Sequence, residues 1–126
     1  MKIYIGHSNQ MNYKEELYMP IINSTLYKEH EIIFPHLNNN DFDTKKVIAE
    51  SDLFIADVSK PSLGLGIEIG RAESIGKKIL CIYNSKENCS GSIKYIDADI
   101  IEYSDKEDLI NKIKEYIDRI LISNVN

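Results

Sequence analysis

The sequence lacks the basic excess, the long apolar runs and the cysteine content that mark several classes of protein. Its 15 Lys and Arg against 20 Asp and Glu give a formal net charge of −5. A nucleic-acid polymer is therefore not expected as a partner, because neutralising its phosphates needs a basic face. No apolar run approaches the ~20 residues of a membrane span, and the first residues carry no signal-peptide pattern. Cys81 and Cys89 alone do not make a disulfide framework. We expect a cytoplasmic protein of one domain, residues 1–126, without a membrane partner.

Motifs for metals and dinucleotides are also missing. No cluster of His, Cys and Asp has the spacing of zinc ligands, and the sequence contains neither a P-loop nor a dinucleotide fingerprint. The negative charge still allows a small phosphorylated ligand, which backbone amides and hydroxyls can bind. We therefore expect a small-molecule ligand and no metal or other cofactor.

Short apolar runs alternate with segments of helical spacing along the chain. The predicted strands are 2–6, 31–34, 53–58, 78–83 and 100–103, and the predicted helices are 13–29 with a kink near Pro20, 44–51, 65–76 and 105–122. This alternation predicts right-handed βαβ units around a parallel sheet. Five strands suggest a single-domain α/β, flavodoxin-like (Rossmann-like) doubly wound fold with strand order 2-1-3-4-5. Ligands of such sheets bind where the strand order reverses, so segments 6–8 and 59–68 are expected to meet there.

The segment after the third predicted strand contains most of the candidate chemistry. It reads Pro-Ser-Leu-Gly-Leu-Gly-Ile-Glu over positions 61–68. We read it as a tight turn in which Gly64 and Gly66 let the backbone approach a ligand, and Ser62 offers a hydroxyl. Glu68 is expected in the first turn of the next helix, where the dipole stabilises an ionised carboxylate by about 0.3–1 kcal/mol. Such a carboxylate can attack the anomeric carbon of a sugar. From spacing alone, an ordinary turn followed by a surface glutamate remains the alternative.

The same segment resembles the core motif of a known family. Positions 61–72 read Pro-Ser-Leu-Gly-Leu-Gly-Ile-Glu-Ile-Gly-Arg-Ala, and Lys-Ile-Leu-Cys follows at 78–81. This pattern is similar to that of the 2'-deoxynucleoside 5'-phosphate N-hydrolases within the nucleoside 2-deoxyribosyltransferase superfamily. The resemblance implies that Glu68 attacks C1' of the deoxyribose, expels the base and forms a glycosyl-enzyme ester. Water then releases 2-deoxyribose 5-phosphate. It further implies that Tyr4 lies near this nucleophile.

The resemblance also implies roles in binding a nucleotide or nucleoside. Ser8, Ser62 and Ser92 match three serines that hold the 5'-phosphate, and the serine at the position of Ser92 comes from the neighbouring subunit of a homodimer. His36 matches a histidine beside the base pocket. Gly6 opens the segment 6–13, which we expect to form the pocket walls together with segment 34–43.

Two positions depart from the family pattern. Ungapped counting places the aspartate that assists the nucleophile at Thr44, while Asp43 lies one position away. A shift of one residue turns a helical side chain by about 100°, so we take Asp43 as a candidate catalytic residue with this reservation. A phosphate-binding arginine is replaced by Gln10, which gives up the charge-assisted part of that contact.

The departures keep two other functions open. The first is base exchange by a nucleoside 2-deoxyribosyltransferase, against which the three serines argue because a free 5'-hydroxyl does not need three hydroxyl donors. The second is a non-catalytic protein that binds or sequesters nucleotides.

Overall fold

Five strands form one parallel sheet in the computed structural model, which describes residues 1–37 and 43–125. They are ordered β2-β1-β3-β4-β5, and their bounds are β1 (Lys2–His7), β2 (Glu31–Ile33), β3 (Leu53–Asp57), β4 (Ile79–Asn84) and β5 (Asp99–Tyr103). The register pairs Tyr4 with Phe54 and His7 with Asp57, so β1 and β3 end side by side. The predicted fold class and strand order are confirmed.

The predicted helix over 13–29 is three shorter pieces. A π-helical turn, Lys14–Tyr18, runs into α1 (Met19–Ile22), and α2 (Thr25–Glu29) follows after a break. The N–H of Met19 donates to the carbonyl of Lys14, five residues back. This wider turn directly precedes Pro20, which has no N–H with which to continue the ordinary helical pattern. The chain restarts at Ser24, whose hydroxyl accepts from the N–H of Leu26, and not at Pro20.

The remaining helices are α3 (Thr44–Glu50), α4 (Leu63–Ser74) and α5 (Lys106–Val125), with a 3-10 turn at Gly91–Tyr95. Helix α4 begins two residues before the predicted start, because the Ser62 side chain accepts from the N–H of Leu65 and caps it. Asp105 caps α5 through the N–H of Asp108. Leu121, predicted on the apolar face of α5, is 43% exposed. In residues 1–37 and 43–125, no helix is both long enough and apolar enough to cross a membrane.

The two faces of the sheet bury separate cores. Ile3 and Ile5 of β1 point to one face, where they meet α5 and the segment 14–29. Tyr4 lies between them in sequence and points to the other face, into a second core formed with α4. Alternation along one buried strand therefore places Tyr4 beneath α4.

Gly6 lets this second face close tightly. A Cβ at Gly6 would lie 2.8 Å from the Phe54 ring and 3.0 Å from Leu65 Cδ1. Glycine is therefore needed for α4 to approach β1. This packing role is separate from the ligand contact expected from the sequence, which stays a prediction.

Candidate active site

Glu68 on α4 is tied to β1 by one short hydrogen bond. The Tyr4 hydroxyl donates to Glu68 Oε2 over 2.6 Å. The Tyr4 side chain is fully buried and packs edge-on against Phe54 with ring centroids 5.2 Å apart. The core therefore holds the hydroxyl in place, and two residues 64 positions apart in sequence meet at one point.

The electrostatics of Glu68 differ from the prediction. Since α4 begins at Leu63, Glu68 lies in its second turn, beyond the first turn in which the helix dipole acts strongly. Burial raises the pKa of Glu68, while the Tyr4 hydrogen bond, His36 and Arg71 act in the opposite direction. Burial and the neighbouring carboxylate raise the pKa of Tyr4, so Tyr4 keeps its proton and remains a donor. The hydroxyl, not the dipole, is the main group that favours ionised Glu68.

The loop after β1 meets the loop before α4, as the sequence predicts. Ser8 is buried; its hydroxyl donates to the carbonyl of Pro61 over 3.4 Å and accepts from the N–H of Gln10 over 3.1 Å. Ser62 uses its oxygen to accept from Leu65 over 3.3 Å. Its hydroxyl proton remains available for an anion.

A cavity of about 570 Å³ opens beside the start of α4. Ser62, Gly66 and Ser92 all line it, together with Lys60. Ser92 lies in the 3-10 turn, where its N–H donates to the Ser90 side chain. Two of the three predicted phosphate serines therefore border one cavity within a single chain.

Gly64 and Gly66 lie inside α4 and not in the tight turn that the sequence suggested. Among the residues that the structure describes, a Cβ at Gly66 would meet nothing within 4 Å, and one at Gly64 would come no closer than 4.0 Å to the Ser62 hydroxyl. Glycine inside a helix is less favourable than alanine by about 1 kcal/mol. Packing within this chain does not explain either glycine, whereas a ligand lying against the helix would.

Four rings cluster beyond the carboxyl end of β1. His7 stacks on Tyr13 with centroids 4.3 Å apart, and the His36 ring lies 5.4 Å from the His7 ring. Tyr18 packs against His7, and its oxygen accepts from the N–H of His36 over 3.2 Å. His36 is near enough to Glu68 to lower its pKa. The sequence predicted His36 and the wall segment 6–13, which contains His7 and Tyr13, but it gave no individual role to His7 and did not indicate Tyr18.

Asp43 caps α3 in this structure. Its Oδ1 accepts from the N–H groups of Lys45 and Lys46 over 3.1 and 3.4 Å, and the residue is exposed. Thr44 is the first residue of the helix. Assistance of Glu68 by Asp43 stays a prediction, and part of the wall segment 34–43, residues 38–42, lies outside the described residues.

A second buried carboxyl supports the loop before α4. Asp57 ends β3 and is fully buried; it accepts from the N–H of Ser59 over 2.9 Å and from the Tyr103 hydroxyl over 2.6 Å. The Ser59 hydroxyl accepts from the N–H of Asn84 over 2.9 Å. Burial raises the pKa of Asp57.

Within the described ranges, no group of three or more His, Cys, Asp or Glu side chains could hold a metal ion.

Comparison with known proteins points to one kind of chemistry. No protein-family model matches the sequence. The chain is 29% identical over 136 aligned positions to the 5-hydroxymethyl-dUMP N-hydrolase of Esox lucius, covering 91% of this chain and 94% of that protein. Over 36 residues it is 56% identical to the protein of the same name from Branchiostoma floridae, covering 29% of this chain and 34% of that one.

A solved structure agrees with these sequence relatives. The CMP N-glycosidase BcmB of Clostridium botulinum matches with a TM-score of 0.67 and 26% identity, over 90% of this chain and 99% of that one. The chain thus shares its α/β fold with a protein of the N-glycosidase class. More narrowly, its sequence relatives are named as nucleotide N-hydrolases, which confirms the resemblance drawn from segment 61–72.

Proposed function

We propose that this chain is an enzyme that hydrolyses the N-glycosidic bond of (2'-deoxy)nucleoside 5'-monophosphates. Its products are the free base and 2-deoxyribose 5-phosphate. The contact that carries the proposal is the one between Tyr4 and Glu68, which holds a half-buried carboxylate in one orientation beside the start of α4. Relatives named as N-hydrolases and a neighbour named as an N-glycosidase support the same reaction.

In the proposed mechanism Glu68 is the nucleophile. Its carboxylate forms a bond to C1' as the bond from C1' to the base nitrogen breaks, and the base departs with that electron pair and takes up a proton. Water then attacks C1', the ester bond to Glu68 breaks, and the carboxylate is restored with loss of a proton to solvent. In the free enzyme the Tyr4 hydroxyl donates to Glu68 and favours the ionised carboxylate.

The 5'-phosphate is assigned to the serines at the start of α4. Ser62 donates its hydroxyl proton to the phosphate while its oxygen caps the helix, whose N-terminal amides favour an anion. Ser8 lies across the same loop junction. Gly64 and Gly66 leave the backbone of α4 accessible to the ligand, whereas buried Gly6 keeps α4 close to β1. His36 with Tyr13 forms a wall for the base.

A homodimer completes the proposed site by supplying Ser92 from the partner. Large apolar side chains are exposed on α4 and on the 3-10 turn: Leu63 is 84% exposed, Ile67 47% and Tyr95 90%. Such a patch beside the cavity fits a second copy of the chain. Ser92 also borders the cavity of its own chain, so its contribution in cis is the alternative to be tested.

Complementation separates these two arrangements. Two variants that each lack one of the groups, Glu68→Gln and Ser92→Ala, are co-expressed with different tags, and the mixed dimer is isolated and assayed at a monophosphate concentration below its KM. If Ser92 acts across the interface, one site of the mixed dimer regains both groups and its rate exceeds that of either variant alone. A rate no higher than that of the Ser92→Ala dimer, in a mixed dimer of confirmed composition, would contradict the exchange of Ser92 between subunits.

The reaction itself is tested by chromatography of free base. Wild type is incubated with deoxyribonucleoside and ribonucleoside 5'-monophosphates and with the unphosphorylated nucleosides. We expect base release from a monophosphate, and at least ~10³-fold slower release by Glu68→Gln. Glu115→Gln, an exposed position on α5, is the matched control. Binding without base release from any nucleotide would refute hydrolysis and leave a nucleotide-binding protein; transfer of the sugar to an added second base would indicate base exchange.

A further inference from the structure

A continuous chain of hydrogen bonds links the two sides of the candidate site through His7. The N–H of His36 meets the Tyr18 oxygen over 3.2 Å, and the Tyr18 hydroxyl meets His7 Nε2 over 2.5 Å. His7 Nδ1 meets the carbonyl of Ser8 over 3.1 Å. This series of hydrogen bonds therefore runs from His36, which is assigned to the base wall, to Ser8, which is assigned to the phosphate.

The donor and the acceptor of each of these hydrogen bonds follow from the groups involved. The Ser8 carbonyl can only accept, so His7 Nδ1 must carry a proton. In a neutral imidazole Nε2 is then the acceptor, and it takes the Tyr18 hydroxyl proton. The Tyr18 oxygen, having given its proton to His7, accepts from the N–H of His36. One tautomer of one ring satisfies all three contacts.

The surroundings of His7 keep the ring in that state. Only 6% of the residue is exposed, and the ring is stacked on Tyr13. The rings beside it are Tyr13, Tyr18 and His36. Asp57, its register partner on β3, is a carboxyl group that is itself hydrogen-bonded to Ser59 and Tyr103. Burial accordingly lowers the pKa of His7 to about 4, and the neighbouring His36 acts in the same direction.

We propose that His7 is a positioning residue that holds the Ser8 loop and the His36 wall in one arrangement, an inference that rests on the proposed function. Both ring nitrogens are engaged by protein groups, so His7 is not assigned a contact with the reacting atoms. Its removal would leave the Tyr18 hydroxyl without its acceptor and the Ser8 carbonyl without its donor. Recognition of the phosphate and alignment of the base would weaken together.

The kinetic test compares substitutions that break the chain with one that can preserve it. His7→Leu removes both contacts, Tyr18→Phe removes the middle of the chain, and His7→Gln offers one donor and one acceptor. We expect His7→Leu and Tyr18→Phe each to lower kcat/KM for the monophosphate about tenfold, and the double variant to lose no more than either alone. His7→Gln should recover most of the loss. His30→Leu is the control for loss of a histidine outside the site.

The outcomes separate positioning from simple packing. His7→Leu with the kcat/KM of wild type, a fully additive double variant, or His7→Gln no better than His7→Leu would each overturn the proposal. Thermal unfolding of each variant shows whether a loss of activity merely follows a loss of stability.

A spectroscopic test of the His7 hydrogen bonds does not depend on enzymatic activity. Nitrogen NMR of the His7 ring in wild type is expected to show a neutral imidazole protonated at Nδ1 from pH 5 to 7. Protonation at Nε2, or an imidazolium at pH 6, would refute the hydrogen-bond chain even if the enzyme is active. If the wild-type protein releases no base, the proposed function is refuted, but the NMR spectrum still tests the hydrogen bonds of His7.

Discussion

Tyr4→Phe is the substitution that probes the electrostatics of Glu68 most selectively. It removes one oxygen atom and keeps the buried ring against Phe54. The lost contact is the 2.6 Å hydrogen bond to Glu68 Oε2, which favours the ionised carboxylate. The pKa of Glu68 should therefore rise further above its ordinary value, because burial then acts with less opposition.

The size of the effect follows from the type of bond. A hydrogen bond to a charged group contributes about 1.5–3 kcal/mol, and solvent around half-buried Glu68 reduces this toward the lower end. About 1.5 kcal/mol corresponds to a loss of roughly tenfold in kcat/KM on the acid side of the pH profile, where Glu68 must lose its proton before it can attack. The loss should grow as the pH falls, since a larger fraction of Glu68 in the variant is then protonated and unable to attack.

The assay is the pH profile of base release for wild type and Tyr4→Phe. We expect the ascending limb of kcat/KM to move to higher pH in the variant. Tyr116→Phe is the matched control, because the Tyr116 hydroxyl donates to Asp99 Oδ2 over 2.7 Å, away from the site. An ascending limb at the same pH in wild type and Tyr4→Phe would refute the reasoning, as would an equal change in Tyr116→Phe.

Three further predictions concern the start of α4 and His7. Gly66→Ala should leave the melting temperature unchanged or raise it, because the new Cβ meets none of the described residues within 4 Å, while nucleotide binding measured by calorimetry weakens. Ser62→Ala should lower the free energy of unfolding by about 1 kcal/mol and Ser62→Gly by only a few tenths, whereas both raise KM for the monophosphate equally. His7 has a pKa of about 4 in the folded chain against an ordinary 6.5, so its contribution to stability is full above pH 6.5 and is lost as the pH falls through 4. The difference in urea stability between wild type and His7→Gln should therefore shrink by up to about 2 kcal/mol between pH 7 and pH 4.5, after allowance for solvent screening.

The sheet was predictable because its signals are local. Residues 53–56 are apolar on both faces, as is typical of a central parallel strand, and β3 lies at the centre of the sheet. The start of α4 was not predictable from the sequence, because Leu63 is 84% exposed and two glycines nearby suggest a turn. The cap formed by Ser62 decides where the helix begins, and capping depends on one side-chain contact that hydrophobic spacing does not encode.

The candidate site was predictable only in part. The contact between Tyr4 and Glu68 joins residues 64 positions apart, so family resemblance suggested it and periodicity could not. His7 lies in the predicted wall segment 6–13 but was given no role of its own, because a histidine at the end of a strand usually faces solvent. Its partner Tyr18 lies in a π-helical turn, where the ordinary helical period no longer tells which way a side chain points.

Peptide mass spectrometry can detect the proposed covalent bond between Glu68 and the sugar. The enzyme is quenched during reaction with a monophosphate whose sugar carries a 2'-fluorine in the arabino configuration, which slows hydrolysis of a glycosyl ester. We expect that base is released and that the sugar phosphate is found on the peptide containing Glu68. Release of base with the sugar phosphate on a different residue, or with no sugar phosphate on the protein, would contradict it.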